Sequence, residues 1–98
     1  MKLPVFFRRL ARNEFEDALE WYEKQKPGLG TAFRIAVEHA LEKIAEQPAI
    51  KPKVFHNLRE SLVPGFPYCV YYLIESGRLV IVSIFHTARD PSIWQGRT

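Results

Sequence analysis

The sequence predicts an α+β domain with the element order β-α-α-β-β-β, in which an antiparallel sheet carries a helical hairpin on one face. Two observations predict this fold. Apolar residues recur with helical period in two successive segments of the first half. Two long apolar runs then flank Ser76-Gly77 within Phe66–Arg89, which is a strong hairpin signal. The 98 residues suit one domain, 1–98, and successive strands at its end favour antiparallel pairing with the helices segregated to one face.

The first elements are a short strand and an amphipathic helix. Leu3–Arg8 reads as the strand, and Pro4 fits best at the start of that strand or on an edge of the sheet. Asn13 followed by Glu16 resembles a capping box, whereas Leu10 and Ala11 extend the apolar pattern and leave an earlier helix start open. The apolar face of this helix is Phe15, Ala18, Leu19 and Tyr22.

A second helix follows after a tight turn. Pro27-Gly28 ends the first helix, and Gly30–Gln47 repeats the pattern until Pro48 stops it. Two helices joined in this way predict an antiparallel helical hairpin. A DNA-reading helix-turn-helix is disfavoured, because the first helix is acidic and the second has only Arg34 and Lys43 as bases.

The remaining strands are expected in the second half of the chain. Val54–Phe55 and Leu58–Leu62 are expected to be pieces of one strand. A two-residue loop at Ser76-Gly77 would set Glu75 opposite Arg78 and fix the register of the main hairpin. The further pairs expected are Cys69–Ile84, Tyr71–Val82, Leu73–Val80, Tyr68–Phe85, Val70–Ser83, Tyr72–Ile81 and Ile74–Leu79.

Both faces of this hairpin are apolar, so neither is suited to face water. One face is expected to carry the helices, and the other needs a further cover. Asp90-Pro91 breaks the structure after the hairpin, and Trp94 is expected to anchor the tail. Trp21 and Tyr22 are expected to pack within the helical layer.

Charge is unevenly distributed along the chain. Residues 1–13 carry +4, residues 14–46 carry −4 and residues 47–98 carry +3, for a net charge of +3. Basic strands suit an anionic partner such as RNA, DNA or an acidic protein segment, although ordinary solvating charge explains the pattern equally well. Cys69 is the single cysteine, and no run approaches a membrane span or a signal peptide, so a cytoplasmic protein is expected.

The motifs of cofactor and metal chemistry are missing. The chain has no glycine-rich phosphate loop, no Cys-x-x-Cys, no His-Glu-x-x-His and no Gly-x-Ser-x-Gly. Its three histidines are scattered along the sequence. We therefore expect no cofactor and no metal.

The candidate site residues are Arg59, His86 and Arg89, at or near strand ends. Arginine binds phosphate oxygens with two donors, and histidine exchanges a proton near neutral pH. Cleavage of RNA through its 2′-hydroxyl needs a base, an acid and a cation. His86 is one acid/base candidate, and the candidates for the second are Tyr68, Tyr71 and Lys53. Structural alternatives are a backbone hydrogen bond at His86, an Arg89–Asp90 ion pair and a solvated strand edge at Arg59-Glu60.

Two sets of residues together resemble the RelE/ParE toxin superfamily. The helical half matches in Ala18-Leu19-Glu20-Trp21-Tyr22-Glu23, Pro27-Gly28-Leu29-Gly30, Phe33, Ile44 and Pro48. The strand half matches in Arg59, Phe66-Pro67-Tyr68, Tyr72, His86-Thr87-Ala88-Arg89-Asp90-Pro91 and Trp94, and it is most similar to the ParE (plasmid stabilisation) branch. The resemblance implies a toxin of a type II toxin–antitoxin system, neutralised by a cognate antitoxin, with which it could form a hetero-oligomer.

The resemblance implies two alternative mechanisms. ParE-like members are associated with poisoning DNA gyrase, and RelE-like members cut mRNA in the ribosome. Arg59 matches an arginine common in the superfamily, and His86 with Arg89 matches the terminal pattern of the ParE branch. Arg59, His86 and Arg89 would be catalytic only in the RelE manner, and the chain lacks the clustered lysines and late tyrosine of that type. Gyrase is therefore the expected target, the ribosome with its mRNA is the alternative, and a non-toxic binding module is a third reading. An acidic antitoxin segment is expected on the spare hairpin face.

Overall fold

The computed structural model describes residues 2–97 and confirms the α+β class with a helical hairpin ahead of the main strands. Three helices and five strands are present in this part of the chain. They are β1 (Val5–Phe7), α1 (Arg9–Gln25), α2 (Leu29–Glu46), β2 (Lys53–Phe55), β3 (Leu58–Leu62), β4 (Tyr68–Glu75), β5 (Arg78–His86) and α3 (Ser92–Gln95).

The sheet has the strand order β1-β5-β4-β3-β2 and is mixed. β1 runs parallel to β5, with Phe6 beside Val80, and the other three pairs are antiparallel. The expected sheet had four strands, all antiparallel. It is wrong in the number of strands, which is five, and in the pair β1–β5, which is parallel. The helical hairpin and three strands separate β1 from β5 in sequence, so no tight turn forces them into an antiparallel pair.

The two pieces expected to form one strand are instead two antiparallel strands, β2 and β3. The chain reverses direction at His56-Asn57, where His56 has a left-handed backbone with φ 53°. Phe55 consequently lies opposite Leu58 across the turn. A histidine with a left-handed backbone does not change the pattern of apolar residues, which explains why the two segments were predicted to form one strand.

Helix α1 begins at Arg9, so the earlier of the two possible starts is correct and the capping box at Asn13 is wrong. Arg12 N–H donates to Arg8 O at 3.0 Å, and Arg8 caps the helix without a side-chain hydrogen bond. Ala11 in this first turn is completely buried. Packing of the first turn against the core, and not a cap, therefore decides where the helix starts.

The two long helices pack closely at their connecting turn. Gly28 turns the chain with φ 89°, and the carboxylate of Glu23 accepts hydrogen bonds from the N–H groups of Gly28 (2.9 Å) and Gly30 (3.0 Å). A Cβ atom on Gly30 would lie 2.7 Å from Leu19 O. Glycine at this position therefore allows the backbones of α1 and α2 to approach each other.

An aromatic cluster joins the helices to the sheet. Tyr22 of α1 and Phe33 of α2 lie 5.1 Å apart between ring centroids, and Phe66 lies 5.0 Å from Tyr22 and 5.1 Å from Phe33. Tyr68, the first residue of β4, lies 5.0 Å from Phe33 and extends the cluster to the end of the sheet. This packing fixes the position of Tyr68 relative to α1.

A bulge divides the main hairpin into two registers. The predicted pairing is correct from Glu75–Arg78 to Tyr72–Ile81. Beyond it Tyr71 pairs with Ser83, which leaves Val82 without a partner and shifts every later pair by one residue. The four pairs predicted beyond the bulge are wrong, and the observed ones are Tyr71–Ser83, Val70–Ile84, Cys69–Phe85 and Tyr68–His86.

The second face of the hairpin is covered by the chain itself. Trp94 of α3 stacks on Tyr71 with ring centroids 3.8 Å apart, which confirms it as an anchor. The other buried members of this second cluster are Leu58, Cys69, Val82 and Phe85. The expectation that this face needs an external cover is therefore wrong, because α3 provides one.

Candidate functional site

His86 lies at the end of the β4–β5 hairpin that is remote from the Ser76-Gly77 turn. His86 is the last residue of β5 and lies opposite Tyr68, with the two rings edge to face at 5.2 Å. Thr87 N–H donates to Pro67 O at 2.9 Å and closes this end of the hairpin. Ala88 N–H donates to His86 Nδ1 at 3.0 Å, so the predicted backbone hydrogen bond is present. Nε2 is then the nitrogen that carries the proton in the neutral ring.

Arg89 follows in the turn after β5. Its N–H donates to His86 O at 3.2 Å, and its guanidinium lies 4.8 Å from the ring centre of Phe85. Asp90 Oδ1 accepts a hydrogen bond from Ser92 N–H at 3.0 Å, and this bond holds the pKa of Asp90 below its ordinary value. Among the ion pairs of residues 2–97, none joins Arg89 to Asp90. The guanidinium is therefore held by a ring and not by the neighbouring carboxylate.

Side chains of α1 complete a pocket of about 250 Å³ around these residues. One wall comes from α1 and the other from the strand ends. The lining residues are Glu14, Asp17, Ala18, Trp21, Tyr68, Ile84, His86 and Arg89. Trp21 is 57% exposed, so the expectation that it packs within the helical layer is wrong, although Tyr22 beside it is buried.

Tyr68 contributes a neutral phenol to the pocket. Burial raises its pKa above the ordinary value, and the neighbouring Tyr22 adds to the rise while Arg89 opposes it. The phenol consequently stays protonated at neutral pH and can donate a hydrogen bond. Tyr68 is thus the one of the three candidate partners for His86 that lies in the same pocket.

Glu14 lines the pocket, but its carboxylate is already occupied. Arg97 binds it with two hydrogen bonds of 2.9 and 3.1 Å. Its Oε1 also accepts from Ser83 Oγ at 2.9 Å and from Ile84 N–H at 3.3 Å. A carboxylate with four donors is a structural group, so Asp17 is the acid of the pocket that remains for a ligand.

Arg59 lies apart from His86 and Arg89. Its Nη1 donates to Ala49 O at 3.0 Å and to Lys51 O, which ties the α2–β2 loop to the sheet. Arg59 pairs with Tyr72, four residues along β4 from the partner of His86, which corresponds to roughly 13 Å along the strand. The structure therefore brings together His86 and Arg89 and leaves Arg59 elsewhere, bonded to a loop and not at a solvated edge.

The other two proposed acid/base groups also lie outside this pocket. Tyr71 donates to Glu60 Oε2 at 2.8 Å, and burial, with that hydrogen bond, raises its pKa far above the ordinary value. Lys53 lines a separate pocket of about 210 Å³ together with Arg59. Neither group can exchange a proton with a ligand bound beside His86.

Sequence reasoning missed the α1 wall of the pocket. Glu14, Asp17 and Trp21 are spaced i, i+3 and i+7, which places them on one stripe of the helix beside the core face. This spacing could have identified them as a group. What it could not show is that the stripe faces His86, because that depends on how α1 packs on β5.

Residues 2–97 contain neither a cluster of metal ligands nor a membrane-spanning helix. No group of three or more histidine, cysteine, aspartate or glutamate side chains is placed to hold a metal ion in that range. In the same range no helix is long and apolar enough to cross a membrane.

Comparison with known proteins identifies a family and solved structures of similar fold. The family described as the ParE toxin of type II toxin-antitoxin systems, parDE, matches residues 5–91. A chain of the chromosomal ParDE TA system from P. aeruginosa is similar in fold, with a TM-score of 0.68 at 15% sequence identity. The match covers 87% of this chain and 96% of that one. Comparison with curated protein sequences finds no significant match.

Proposed function

Since the chain belongs to the ParE toxin family of type II toxin–antitoxin systems, we propose that it arrests growth by inhibiting DNA gyrase. We further propose that a cognate antitoxin neutralises it in a toxin–antitoxin hetero-oligomer. Gyrase acts in the cytoplasm, and we place the action of this chain there. The match over residues 5–91 supports the toxin role, and the geometry of the site supports the mode of action.

The separation of Arg59 from His86 and Arg89 is the observation that carries this proposal. Cleavage of RNA would need a base, an acid and a cation around one phosphate group. Arg59 is held by the carbonyls of Ala49 and Lys51 and cannot supply the cation beside His86. Arg59, His86 and Arg89, the three residues that a RelE-like mechanism would use, are therefore not assembled at one place, which favours a toxin that acts by binding.

The pocket has the composition of a protein-binding anchor site. An exposed Trp21 and the guanidinium of Arg89 are of the residue types that contribute most to interfaces. His86 and Tyr68 add donors between them. We therefore place the contact with gyrase at this pocket.

A supercoiling assay tests the proposal. Purified chain is added to gyrase, ATP and relaxed plasmid, and we expect loss of supercoiling with accumulation of linear, gyrase-cleaved DNA. Arg89→Ala should weaken the effect, and Arg34→Ala, an exposed arginine of α2, serves as the matched control. Full gyrase activity at saturating wild-type chain would refute this target.

One observation favours the ribosome-dependent mRNA endonuclease as the second candidate. Tyr68, His86 and Arg89 share one pocket, and together they offer two proton-exchanging groups and a cation. The test adds the purified chain to ribosomes that are translating an end-labelled mRNA. If the chain acts only on gyrase, this mRNA should remain intact. Ribosome-dependent fragments that disappear with His86→Ala would replace gyrase by the nuclease.

Induction of the chain in growing cells separates these functions from a non-toxic binding module. A gyrase poison produces double-strand breaks and a DNA-damage response before translation stops. A nuclease stops translation first. Normal growth with the chain present at high level would leave only the binding module.

A further inference from the structure

The side chain of Glu14 joins the two walls of the pocket that holds His86 and Arg89. Glu14 lines the pocket from α1, and its Oε1 accepts hydrogen bonds from Ser83 Oγ at 2.9 Å and from Ile84 N–H at 3.3 Å on β5. The position of α1 relative to the strand ends therefore depends on this carboxylate, which lies among the groups that a ligand would meet.

Arg97 reaches this carboxylate from the other side of the sheet. Trp94 of α3 packs on the second face of the hairpin, and Arg97 N–H donates to Trp94 O at 3.1 Å. The guanidinium of Arg97 then extends to Glu14, at 2.9 and 3.1 Å, and to Val82 O at 3.2 Å. Arg8 Nη1 donates to Arg97 O at 3.1 Å and fixes the backbone of Arg97. The chain after α3 thus passes around the edge of β5 to the pocket.

The ion pair between Arg97 and Glu14 decides the charge of the pocket. Both side chains of the pair are only 16% exposed, so water screens little of their attraction. With Arg97 in place, the charge of Glu14 is cancelled, and Asp17 and Arg89 face a ligand as one acid and one base. Without Arg97, two carboxylates would oppose one guanidinium, and Glu14 would compete with the ligand for Arg89.

We propose that Arg97 is a positioning residue of this pocket, an inference that rests on the proposed inhibition of gyrase. Arg97 holds α1 against β5 and cancels the charge of Glu14, so the guanidinium of Arg89 stays available to a carboxylate on the surface of gyrase. A carboxylate fits this guanidinium because arginine binds it with two parallel donors. Arg97 lies behind the wall of the pocket and acts through Glu14.

The supercoiling assay tests the functional half of the inference. Arg97→Gln leaves Glu14 charged and should raise the concentration of chain needed for half-inhibition of gyrase about tenfold. Glu14→Gln combined with Arg97→Gln removes both charges and should restore inhibition to within about threefold of wild type. Thermal unfolding establishes that each variant is folded at the temperature of the assay.

Fluorescence quenching of Trp21 tests the charge of the pocket itself. Trp21 lines the pocket and is 57% exposed, whereas Trp94 is 4% exposed, so quenchers dissolved in water reach Trp21. Iodide and caesium carry opposite charges, and the ratio of their quenching constants reports the charge near the indole. At low ionic strength Arg97→Gln should lower the iodide-to-caesium ratio roughly twofold, and Glu14→Gln should raise it by a similar factor. The double variant should return the ratio to the wild-type value.

Lys2→Gln is the matched control, since it breaks the exposed Lys2–Glu42 pair of 3.3 Å and makes the same change in net charge outside the pocket. It should alter neither the ratio nor the inhibition. An unchanged ratio in folded Arg97→Gln and Glu14→Gln would overturn the charge role. Wild-type inhibition by Arg97→Gln would overturn the positioning role, as would a double variant that inhibits no better than Arg97→Gln. A wild-type chain that leaves gyrase fully active would refute the proposed target, while the ratio would still show whether Arg97 sets the charge of the pocket.

Discussion

Arg97 and Glu14, 83 positions apart in the chain, form a two-point ion pair against the edge of β5. Glu14 also accepts from Ser83 Oγ and Ile84 N–H, and Arg97 donates to Val82 O at 3.2 Å. The β5 residues in these contacts, Val82, Ser83 and Ile84, belong to the part of β5 that extends beyond its pairing with β1. The pair therefore takes the place of a missing strand and stabilises the bulge at Val82.

The first prediction concerns this pair. Arg97→Ala should lower the free energy of unfolding by about 2–3 kcal/mol, because it leaves a carboxylate without its charge partner at a site where both side chains are only 16% exposed. Urea unfolding measures the loss. The control is Lys24→Ala, which breaks the exposed Glu20–Lys24 pair and should cost no more than about 0.5 kcal/mol. Equal losses in the two variants would contradict the role of the pair.

The two tryptophans should differ sharply in their effect on stability. Trp94 is 4% exposed and stacks on Tyr71, so Trp94→Ala should cost about 3–4 kcal/mol and expose the second cluster. Trp21 is 57% exposed, and Trp21→Ala should cost no more than about 1 kcal/mol. Denaturant unfolding together with binding of an apolar dye checks both expectations. Dye binding by Trp21→Ala and not by Trp94→Ala would reverse the assignment.

Local patterns were sufficient to predict the class and the order of the main elements. The 3.6-residue period fixed the core face of α1, and Ser76-Gly77 fixed the first half of the hairpin register. What failed depended on contacts between distant residues. The bulge at Val82 is held by Glu14 and Arg97, and neither lies near it in sequence. A pattern of neighbours carries no information about such contacts.

The site was predictable to a similar extent. His86 and Arg89 are three residues apart after one strand, so their proximity follows from the chain itself. Arg59 was grouped with them because its residue type suits phosphate, but its position depends on β3 lying two strands away from β5. Its true partners, the carbonyls of Ala49 and Lys51, belong to a loop with no recognisable motif.

Gly30 should be intolerant of a side chain. A Cβ atom there would lie 2.7 Å from Leu19 O, so Gly30→Ala forces α1 and α2 apart and should cost about 1–3 kcal/mol despite the better helix propensity of alanine. Gly96→Ala is the control, because its nearest contact would be 3.4 Å, and it should be close to neutral. Thermal unfolding of both variants checks the difference. A stabilised Gly30→Ala would show that the helices are not in close contact.

Stability should fall at alkaline pH because of the tyrosines. Burial raises the pKa of all four, and in Tyr71 the hydrogen bond to Glu60 adds to the rise. The folded chain thus holds these protons more tightly than the unfolded chain, whose tyrosines titrate near about 10. The contribution of the tyrosines to the free energy of unfolding is fully present below about pH 10, and it is lost as the pH rises through the folded-state pKa values.

Urea unfolding between about pH 9 and 12, followed with tyrosinate absorbance, measures this loss. Tyr71→Phe removes the group with the largest rise, so its stability should fall less steeply over that range even though it is lower at neutral pH. A curve for Tyr71→Phe parallel to that of wild type would show that Tyr71 does not couple folding to alkaline pH.

Arg59 and Arg89 should affect different properties. Arg59→Ala removes hydrogen bonds to two loop carbonyls and should cost about 1–3 kcal/mol, while the folded variant inhibits gyrase as wild type does. Arg89→Ala removes a contact with Phe85 and should cost no more than about 1 kcal/mol, but it should weaken gyrase inhibition. Urea unfolding and the supercoiling assay measure the two properties separately. If folded Arg59→Ala were inactive, Arg59 would act with His86 despite its distance from it, and the ribosomal nuclease would then explain the chain better than gyrase binding.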